Sequence, residues 1–458
     1  MAAADVNSAR ERVVTIFMTT SVVMTLVLGV AVVHELGQKS TREVVRSAGS
    51  QSGATASQAS SASGAGAGSS GTGAGSAGSV AGGAGSAGAN PTVSNSAPGV
   101  TANTITVGGI YDETGPFDAT VERDTVRSYF DTVNAAGGVN GHKLQLLDCD
   151  SAYNPATAHQ CSQQLISQNI LAMVGWLSVS GEQPETGYLT QQGVPIVGGL
   201  GVPAEFSSSL SWPTSDNFVT YGTAMGDHAK DLSIHAPGIV ILNVNFIAPV
   251  QQSLLDSLHK NGIQEKSVDQ VDPTKPDYTD IALKLRSENV DSVIAALDPF
   301  SYSRLMLAFD QQNYHPKLFG LGLDKASANK AYNGAQDGAE SLTPLLEPWD
   351  HTSQPGVAAY EGAVQKYFPN QVPNLDVYSE GDWVAAEVFV DALKAIGSAP
   401  ITRQSLVNAL NSLKNVDTQG LTEPLSYSPA SAHDPDRCFQ WIHYVNGGWS
   451  TYSNWNCF

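Results

Sequence analysis

The sequence predicts an α/β fold of doubly wound parallel sheets, preceded by one transmembrane helix and a disordered Ser/Gly/Ala linker. Three observations support this prediction. A long apolar stretch lies near the N-terminus, a tract of small residues follows it, and from residue 104 onward short β-branched runs alternate with helix-like segments. Such alternation is typical of parallel sheets covered by helices.

Residues 13–33 contain no charged side chain, and at about 1.5 Å per residue they are long enough to cross a hydrocarbon core of roughly 30 Å. We interpret them as an uncleaved signal anchor, with residues 1–12 in the cytoplasm. A cleaved secretory signal is the alternative. Its apolar region usually has about 7–15 residues and ends at a small-x-small site, which the sequence AVVHELG matches poorly.

Residues 47–99 consist almost wholly of Ser, Gly, Ala and Thr, without an aromatic side chain or an apolar period. Such a segment cannot offset its ordering entropy by burial, so we expect a flexible tether. The whole chain has 23 basic against 43 acidic side chains, and all of the acidic excess lies beyond the tether. Nucleic-acid binding needs a basic footprint, so this charge argues against such a partner.

The four cysteines lie beyond the tether in two local pairs, Cys149 with Cys161 and Cys438 with Cys457. We predict two local disulfides in an oxidising compartment, although four cysteines allow three pairings. Four thiolates on zinc would need closer Cys-x-x-Cys spacings. Around the second pair the sequence predicts a hairpin at Asn446-Gly447, and a four-residue loop would bring Cys438 opposite Cys457 better than a two-residue turn.

Seven short apolar runs predict strands buried on both faces. Between the first two, the stretch AAGGVNGHKL (residues 135–144) follows an apolar helical stripe, so its glycines predict a helix cap and a tight turn. A phosphate loop would need the opposite order, strand before helix. The strands begin at Ile105, Lys143, Leu171, Val194, Gly238, Val290 and Lys317.

Three blocks of the sequence resemble one family: ITVGGIYDETGPF, VNAAGGVNGHKLQLLDCDSAYNPATAHQCSQQLI and VGWLSVSGEQPETGYLTQQGVPIVGG. In this order they resemble the type I periplasmic-binding fold, specifically the leucine/isoleucine/valine-binding receptors of ABC importers. The resemblance runs from about residue 104 to residue 410 and implies two α/β lobes joined by a three-strand hinge. It places lobe one at 104–222 plus 349–416 and lobe two at 223–348 plus 417–458.

Ligands of such sheets bind outside the carboxyl ends of the strands, so the loops after the strands supply the candidate site. Aromatic side chains there suit a ligand with an apolar or ring component, and a helix start suits an anionic group. The alternatives are core packing for the aromatic side chains and helix capping for the serines and aspartates. The candidates are Tyr111, Thr114, Phe117, Trp176, Ser178, Ser180, Leu200, Gly201, Phe246, Asp298, Phe300 and Asp324.

The resemblance implies that the segment GGLGVPAEF, residues 198–206, reads a ligand carboxylate through Leu200, Gly201 and Val202. Val202 lacks the hydroxyl that a threonine offers in the amino-acid binders of the family. The ammonium-binding glutamate of the family aligns near Gly322, two positions from Asp324. These differences argue against a plain branched-chain amino acid and favour an amino-acid-like, amide or aromatic molecule.

No motif predicts an enzyme, a cofactor or a metal site. Ser257-Leu-His-Lys260 and Ser215-Asp216-Asn217 match parts of the penicillin-recognising serine enzymes, but their order is reversed and no K-T-G follows. His228 and His235 have no third ligand to complete a metal site.

The sequence therefore predicts a membrane-tethered, extracytoplasmic solute-binding protein that closes two lobes on a small molecule. The closed form would be presented to the permease subunits of an ABC importer. Ligand favours closure through its contacts to both lobes at once. The alternative is a ligand sensor that uses the same domain for signalling, but the short N-terminal segment holds no signalling domain and favours transport.

Overall fold

The computed structural model describes residues 97–325, 328–434 and 438–458, which form two α/β lobes. The predicted anchor at 13–33, the segment 1–12 and the predicted linker up to residue 96 lie outside the described residues. Within the described ranges, no helix is long and apolar enough to cross a membrane.

Lobe one is built on a five-stranded sheet in which every pairing is parallel. The strand Thr104–Tyr111 is mostly buried on both faces, as the near-continuous apolar runs predict. In chain order the strands are β1 (Thr104–Tyr111), β2 (Lys143–Asp150), β3 (Met173–Val174), β4 (Ile196–Val197) and β5 (Ser211–Trp212). Their order in the sheet is β2-β1-β3-β4-β5.

Lobe two is built on an eight-stranded mixed sheet. The five strands from Pro237 to Thr343 pair in parallel, and the three C-terminal strands add antiparallel pairs. The sheet of lobe two is therefore mixed, whereas the prediction was a parallel sheet. The strands are β6 (Pro237–Leu242), β7 (Ser267–Val271), β8 (Ser292–Ala296), β9 (Lys317–Leu321), β10 (Glu340–Thr343), β11 (Cys438–Val445), β12 (Gly448–Thr451) and β13 (Asn456–Cys457). The order is β12-β11-β10-β9-β8-β6-β7, with β13 beside β11.

Helices cover both sheets, and the last three long ones return to lobe one, where the helices Pro355–Tyr367 and Val377–Ile396 pack on the helix Thr120–Ala135. In chain order they are α1 (Thr120–Ala135), α2 (Pro155–Ser167), α3 (Glu182–Gln191), α4 (Pro203–Ser207), α5 (Phe218–Asp231), α6 (Ile247–Lys260), α7 (Thr279–Ser287), α8 (Pro299–Gln311), α9 (Asn329–Tyr332), α10 (Pro355–Tyr367), α11 (Val377–Ile396) and α12 (Arg403–Ser412), with a 3-10 helix at Pro369–Asn374.

The chain passes between the lobes three times: after β5, after β10 and after α12. The passages contact one another, since Leu346 N donates to Leu421 O at 3.1 Å and Tyr427 Oη donates to Pro213 O at 2.8 Å. The expected lobe boundary after residue 222 falls inside α5. This helix packs closely on α6, because at Gly222 a Cβ would lie 2.0 Å from Ser253 Oγ.

The stretch AAGGVNGHKL is a helix end followed by a turn, as predicted. Gly137 and Gly138 adopt positive φ just beyond α1, and the Gly138 N–H donates to Val133 O at 2.9 Å. Asn140 and Gly141 also have positive φ and reverse the chain into β2. The stretch therefore shapes the fold and lies outside the cleft.

Two disulfides join the predicted local pairs. Cys149 of β2 is bonded to Cys161 of α2, and Cys438 of β11 is bonded to Cys457 of β13.

The predicted four-residue hairpin loop is wrong. Val445 pairs with Gly448 across a two-residue turn at Asn446-Gly447, whose positive φ angles suit it. After β12 the chain leaves the ladder and pairs with β11 again at β13. The register of this second pairing is shifted by two residues from that of β12, so Cys438 still lies opposite Cys457.

Candidate ligand-binding cleft

The carboxyl ends of both sheets border a cleft between the lobes, which contains two adjoining cavities. The first, here called the apolar cavity, has about 560 Å³ of space between its walls, which includes space open to solvent. Lobe one contributes Phe117, Val179 and Leu200 to its walls, and lobe two contributes Phe246 and Ala296 with the apolar ends of β6, β8 and β9. A ligand in this cavity would therefore meet mostly hydrocarbon surface from both lobes at once.

Asp298 is the acidic side chain of the apolar cavity, and its carboxylate is committed to the start of α8. Its Oδ1 accepts hydrogen bonds from Phe300 N at 3.0 Å and Ser301 N at 2.9 Å, and its Oδ2 accepts one from Ser301 Oγ at 2.5 Å. Asp298 therefore caps α8, which is the alternative role that the sequence offered for it.

The second cavity, here called the acidic cavity, lies beside the hinge and shares Leu200, Phe218, Leu321 and Tyr378 with the first. Trp176 and Asp382 line it from lobe one, and Asp324 lines it from lobe two. The space between its walls is about 470 Å³, which includes space open to solvent. The two cavities together offer one apolar and one polar compartment.

Asp324 and Asp382 each keep one carboxylate oxygen that has no hydrogen-bond partner in the described part of the chain, the Oδ2 atom in both cases. The other oxygen of Asp324 accepts from Ser341 Oγ at 3.0 Å, and Asp382 accepts from the backbone N–H of Trp176. Burial raises the pKa of Asp324 to about 7. Burial, with the charges of Glu122 and Glu182, raises the pKa of Asp382 well above its ordinary value.

A buried ion triad crosses the cleft next to these residues. Lys325 of lobe two is 2 % exposed, and its Nζ lies 2.5 Å from Glu122 Oε1 and 2.8 Å from Asp376 Oδ2, both on lobe one. The same Nζ lies 4.6 Å from the ring centroid of Phe117 and 6.0 Å from that of Tyr378. The triad therefore links the lobes directly and places a cation against the aromatic wall.

The backbone N–H groups that the family resemblance assigned to a ligand carboxylate are occupied by the protein's own carboxylates. Leu200 N donates to Glu182 Oε2 at 2.8 Å, and Gly201 N donates to Glu205 Oε2 at 3.0 Å. At the start of α3, Val179 N donates to Asp112 Oδ2 at 2.8 Å. An anionic ligand would have to displace these buried groups.

Six of the twelve predicted site residues line the two cavities. Phe117, Leu200, Phe246 and Asp298 lie in the apolar cavity, and Trp176 and Asp324 lie in the acidic cavity. The ends of β1, β3, β4, β6, β8 and β9 thus converge on one cleft, as the rule of strand ends predicts.

The other six residues lie elsewhere in the fold. Tyr111, the last residue of β1, is fully buried and donates to Gly175 O at 2.9 Å, and Thr114 Oγ1 donates to Asp150 Oδ2 at 2.7 Å on the surface. The remaining four have separate roles: Ser178 N donates to Glu182, Ser180 O accepts from Asn245 of lobe two, Gly201 N donates to Glu205, and Phe300 is 40 % exposed on α8. The residue that caps α3 is Gly181, and neither serine side chain does so.

Sequence reasoning missed the cleft residues that lie outside the strand ends. Tyr378 and Asp382 come from α11, and Phe218 begins α5 after the first crossing. One signal was available: Asp376 and Ser379 form a capping box that marks the start of α11, a helix of otherwise apolar sequence that carries buried acidic residues. No group of three His, Cys, Asp or Glu in the described ranges could hold a metal ion.

Comparison with known proteins identifies the family. The model of a family described as "Periplasmic binding protein" matches residues 104–448. A Leu/Ile/Val-binding protein homolog of Brucella melitensis is 24% identical over 199 residues, which are 41% of this chain and 53% of that protein. The chain spans about half the length of the curated relatives it matches.

Solved structures share the whole fold of the described domain. A fatty acid ABC transporter substrate-binding protein from Thermomonospora curvata superposes with a TM-score of 0.70 at 19% identity, covering 79% of this chain and 94% of that chain. A branched chain amino acid ABC transporter protein from Thermus thermophilus with bound valine gives a TM-score of 0.70 at 12% identity, covering 78% and 98%. The relatives are binding proteins and not enzymes, which confirms the prediction of no enzymatic activity. The chain belongs to the periplasmic binding protein family and has the type I fold of its leucine/isoleucine/valine-binding members.

Proposed function

We propose that this protein is an extracytoplasmic solute-binding protein that traps a small molecule with an apolar or ring component between its lobes. The observation that carries the proposal is the apolar cavity, whose hydrocarbon walls come from both lobes. A molecule that contacts both walls binds the closed form more tightly than the open form, and this difference in affinity drives closure.

A plain branched-chain amino acid fits this cleft poorly. Its carboxylate would need the N–H groups of Leu200 and Gly201, which Glu182 and Glu205 already occupy. The side chains of these two glutamates are fully buried, so replacing them would require a rearrangement of the core. The amino-acid-like class is accordingly the weaker part of the sequence-based prediction, and the aromatic or apolar class is the stronger one.

We further propose that the closed form is the species presented to the permease subunits of an ABC importer. Family membership supports this role, and so do the two disulfides, which fit an oxidising compartment outside the cytoplasm. The membrane anchor at residues 13–33 would keep the binding domain near its permease.

The test is ligand-induced stabilisation of the full-length protein. Aromatic and aliphatic molecules of about ten heavy atoms should raise the unfolding temperature, because a ligand at 100 times its Kd adds about 2.7 kcal/mol. Leucine, isoleucine and valine should give smaller shifts. Filling the apolar cavity with Val244→Trp should abolish the shift, whereas Leu283→Trp on the surface should preserve it. Equal stabilisation of the two variants by the same molecule would show that binding occurs elsewhere.

A further inference from the structure

The acidic cavity holds two carboxylates whose hydrogen-bonding capacity the described protein atoms do not use. Asp324 is 2 % exposed and Asp382 is 4 % exposed, and the Oδ2 atom of each has no partner in the described ranges. They approach the cavity from opposite lobes. A buried carboxylate without a partner is costly, so a group that pairs with both would stabilise the closed form.

We infer that the solute carries a cationic group, an amine or a quaternary ammonium, which binds in the acidic cavity between Asp324 and Asp382. The inference rests on the proposed function, since it names the chemistry of a solute held in the same cleft. The apolar part of that solute would extend past Leu200 and Tyr378, which the two cavities share.

The charges around the cavity favour a cation over an anion. Burial raises the pKa of Glu347 and of Glu380 well above the ordinary value, with the charge of Asp324 adding to the shift of Glu347 and that of Glu347 to the shift of Glu380, so both acids lie near this region. Lys325 is the nearby positive group, and Glu122 and Asp376 already neutralise it. A positive ligand would therefore relieve repulsion among buried acids, and a negative one would add to it.

The backbone and the aromatic walls point to the same class of ligand. The N–H groups at Leu200, Gly201 and Val179, which could have held an anion, donate to internal carboxylates. Trp176 and Tyr378 line the cavity with aromatic rings, and such rings attract cations through their faces. The Tyr378 ring already has the Lys325 ammonium 6.0 Å from its centroid.

The experiment is calorimetric titration of the full-length protein at pH 7.5 with matched compounds of different charge: 2-phenylethylamine, 2-phenylethanol and phenylacetate. We expect the amine to bind most tightly and the acid least. Asp382→Asn should weaken amine binding roughly 10- to 100-fold, the range for losing a hydrogen bond to a charged group, and should leave the alcohol unchanged. Glu387→Gln, a buried change on the same helix outside both cavities, should leave all three affinities unchanged.

Asp324→Asn provides a second variant on the opposite lobe in case Asp382→Asn does not fold. The inference is overturned if the acid or the alcohol binds as tightly as the amine, or if the folded asparagine variants retain full amine affinity. In those cases binding of the alcohol would still support the proposed apolar solute. Failure of all three compounds to bind would count against both the cationic solute and the proposed function.

Discussion

Removing the cation of the buried triad tests how the lobes are held together. In Lys325→Met the side chain keeps its apolar stem, but Glu122 and Asp376 lose the ammonium that lies 2.5 Å and 2.8 Å from their oxygens. Both carboxylates are fully buried. They then remain as two acids in a low-dielectric site with no counter-charge, and at least one must take up a proton.

The size of the effect follows from that proton. An ordinary aspartate has a pKa near 3.9, and each pKa unit corresponds to about 1.36 kcal/mol, so protonating one at pH 7 costs about 4 kcal/mol. This agrees with the roughly 3–5 kcal/mol measured when one partner of a buried pair is removed. Burial already raises the pKa of Glu122 in the wild type, so the carboxylate whose charge is left uncompensated in the variant is that of Asp376. At pH 5 the same argument leaves about 1.5 kcal/mol.

The assay is the free energy of unfolding in urea at pH 7 and pH 5, with small-angle scattering to detect opening of the lobes. Lys275→Met is the control, because Lys275 forms a more exposed pair with Asp280 at 2.6 Å and such pairs contribute about 1 kcal/mol or less. Wild-type stability of Lys325→Met at pH 7 would refute the reasoning. An equal loss at both pH values would assign the effect to packing and not to charge.

Three further predictions concern pH and the disulfide. The pKa of Asp324 is raised to about 7, so between about pH 4 and 7 the folded state holds its proton while the unfolded state does not, and the free energy of unfolding falls as pH rises. In urea titrations Asp324→Asn should flatten this dependence of the free energy of unfolding on pH, and an unchanged dependence would contradict the assignment. Burial raises the pKa of Glu340, but hydrogen bonds from His228, Tyr452 and Lys317 outweigh it and lower the pKa to about 2. Glu340→Gln should therefore have a lower free energy of unfolding than the wild type above about pH 4.5, and the difference should shrink as pH falls toward 2. Replacing both Cys149 and Cys161 by serine should lower the free energy of unfolding by about 2–4 kcal/mol, and a free thiol on either wild-type residue in non-reducing peptide mapping would contradict the bond itself.

The fold was predictable where local patterns carry it. Each of the seven predicted strands is present, and β2 and β9 begin at the predicted residues Lys143 and Lys317. Strands buried on both faces, such as β1, leave continuous apolar runs in the sequence. Strands β5, β7 and β10 were missed. Ser211–Trp212 has two residues, and the sequence of β7, SVDQV, is that of an edge strand with polar residues on its partly exposed positions, so neither gives an apolar run.

The cleft residues that directly follow strands were predictable from the sequence, and the other cleft residues were not. Trp176 and Asp324 follow strands directly, and the rule that ligands meet the carboxyl ends of strands finds them. Tyr378, Asp376 and Asp382 lie on or next to α11, more than 50 residues after β9. Which later helix returns to cover a cleft depends on how the chain crosses the hinge, and a local pattern of apolar residues does not encode that path.

The resemblance to a family of amino-acid receptors locates the binding segment but not its chemistry. The backbone at Leu200 and Gly201 keeps its N–H donors, yet Glu182 and Glu205 supply the acceptors from within the chain. Burial and the neighbouring Glu205 carboxyl raise the pKa of Glu182 well above its ordinary value. An internal carboxyl in the position of a ligand carboxylate converts an anion-binding turn into an acidic wall. The proposed cationic solute would then bind a receptor that keeps the fold and strand-end geometry of its relatives, in which Glu182 and Glu205 block the anion-binding turn and Asp324 and Asp382 receive the cation.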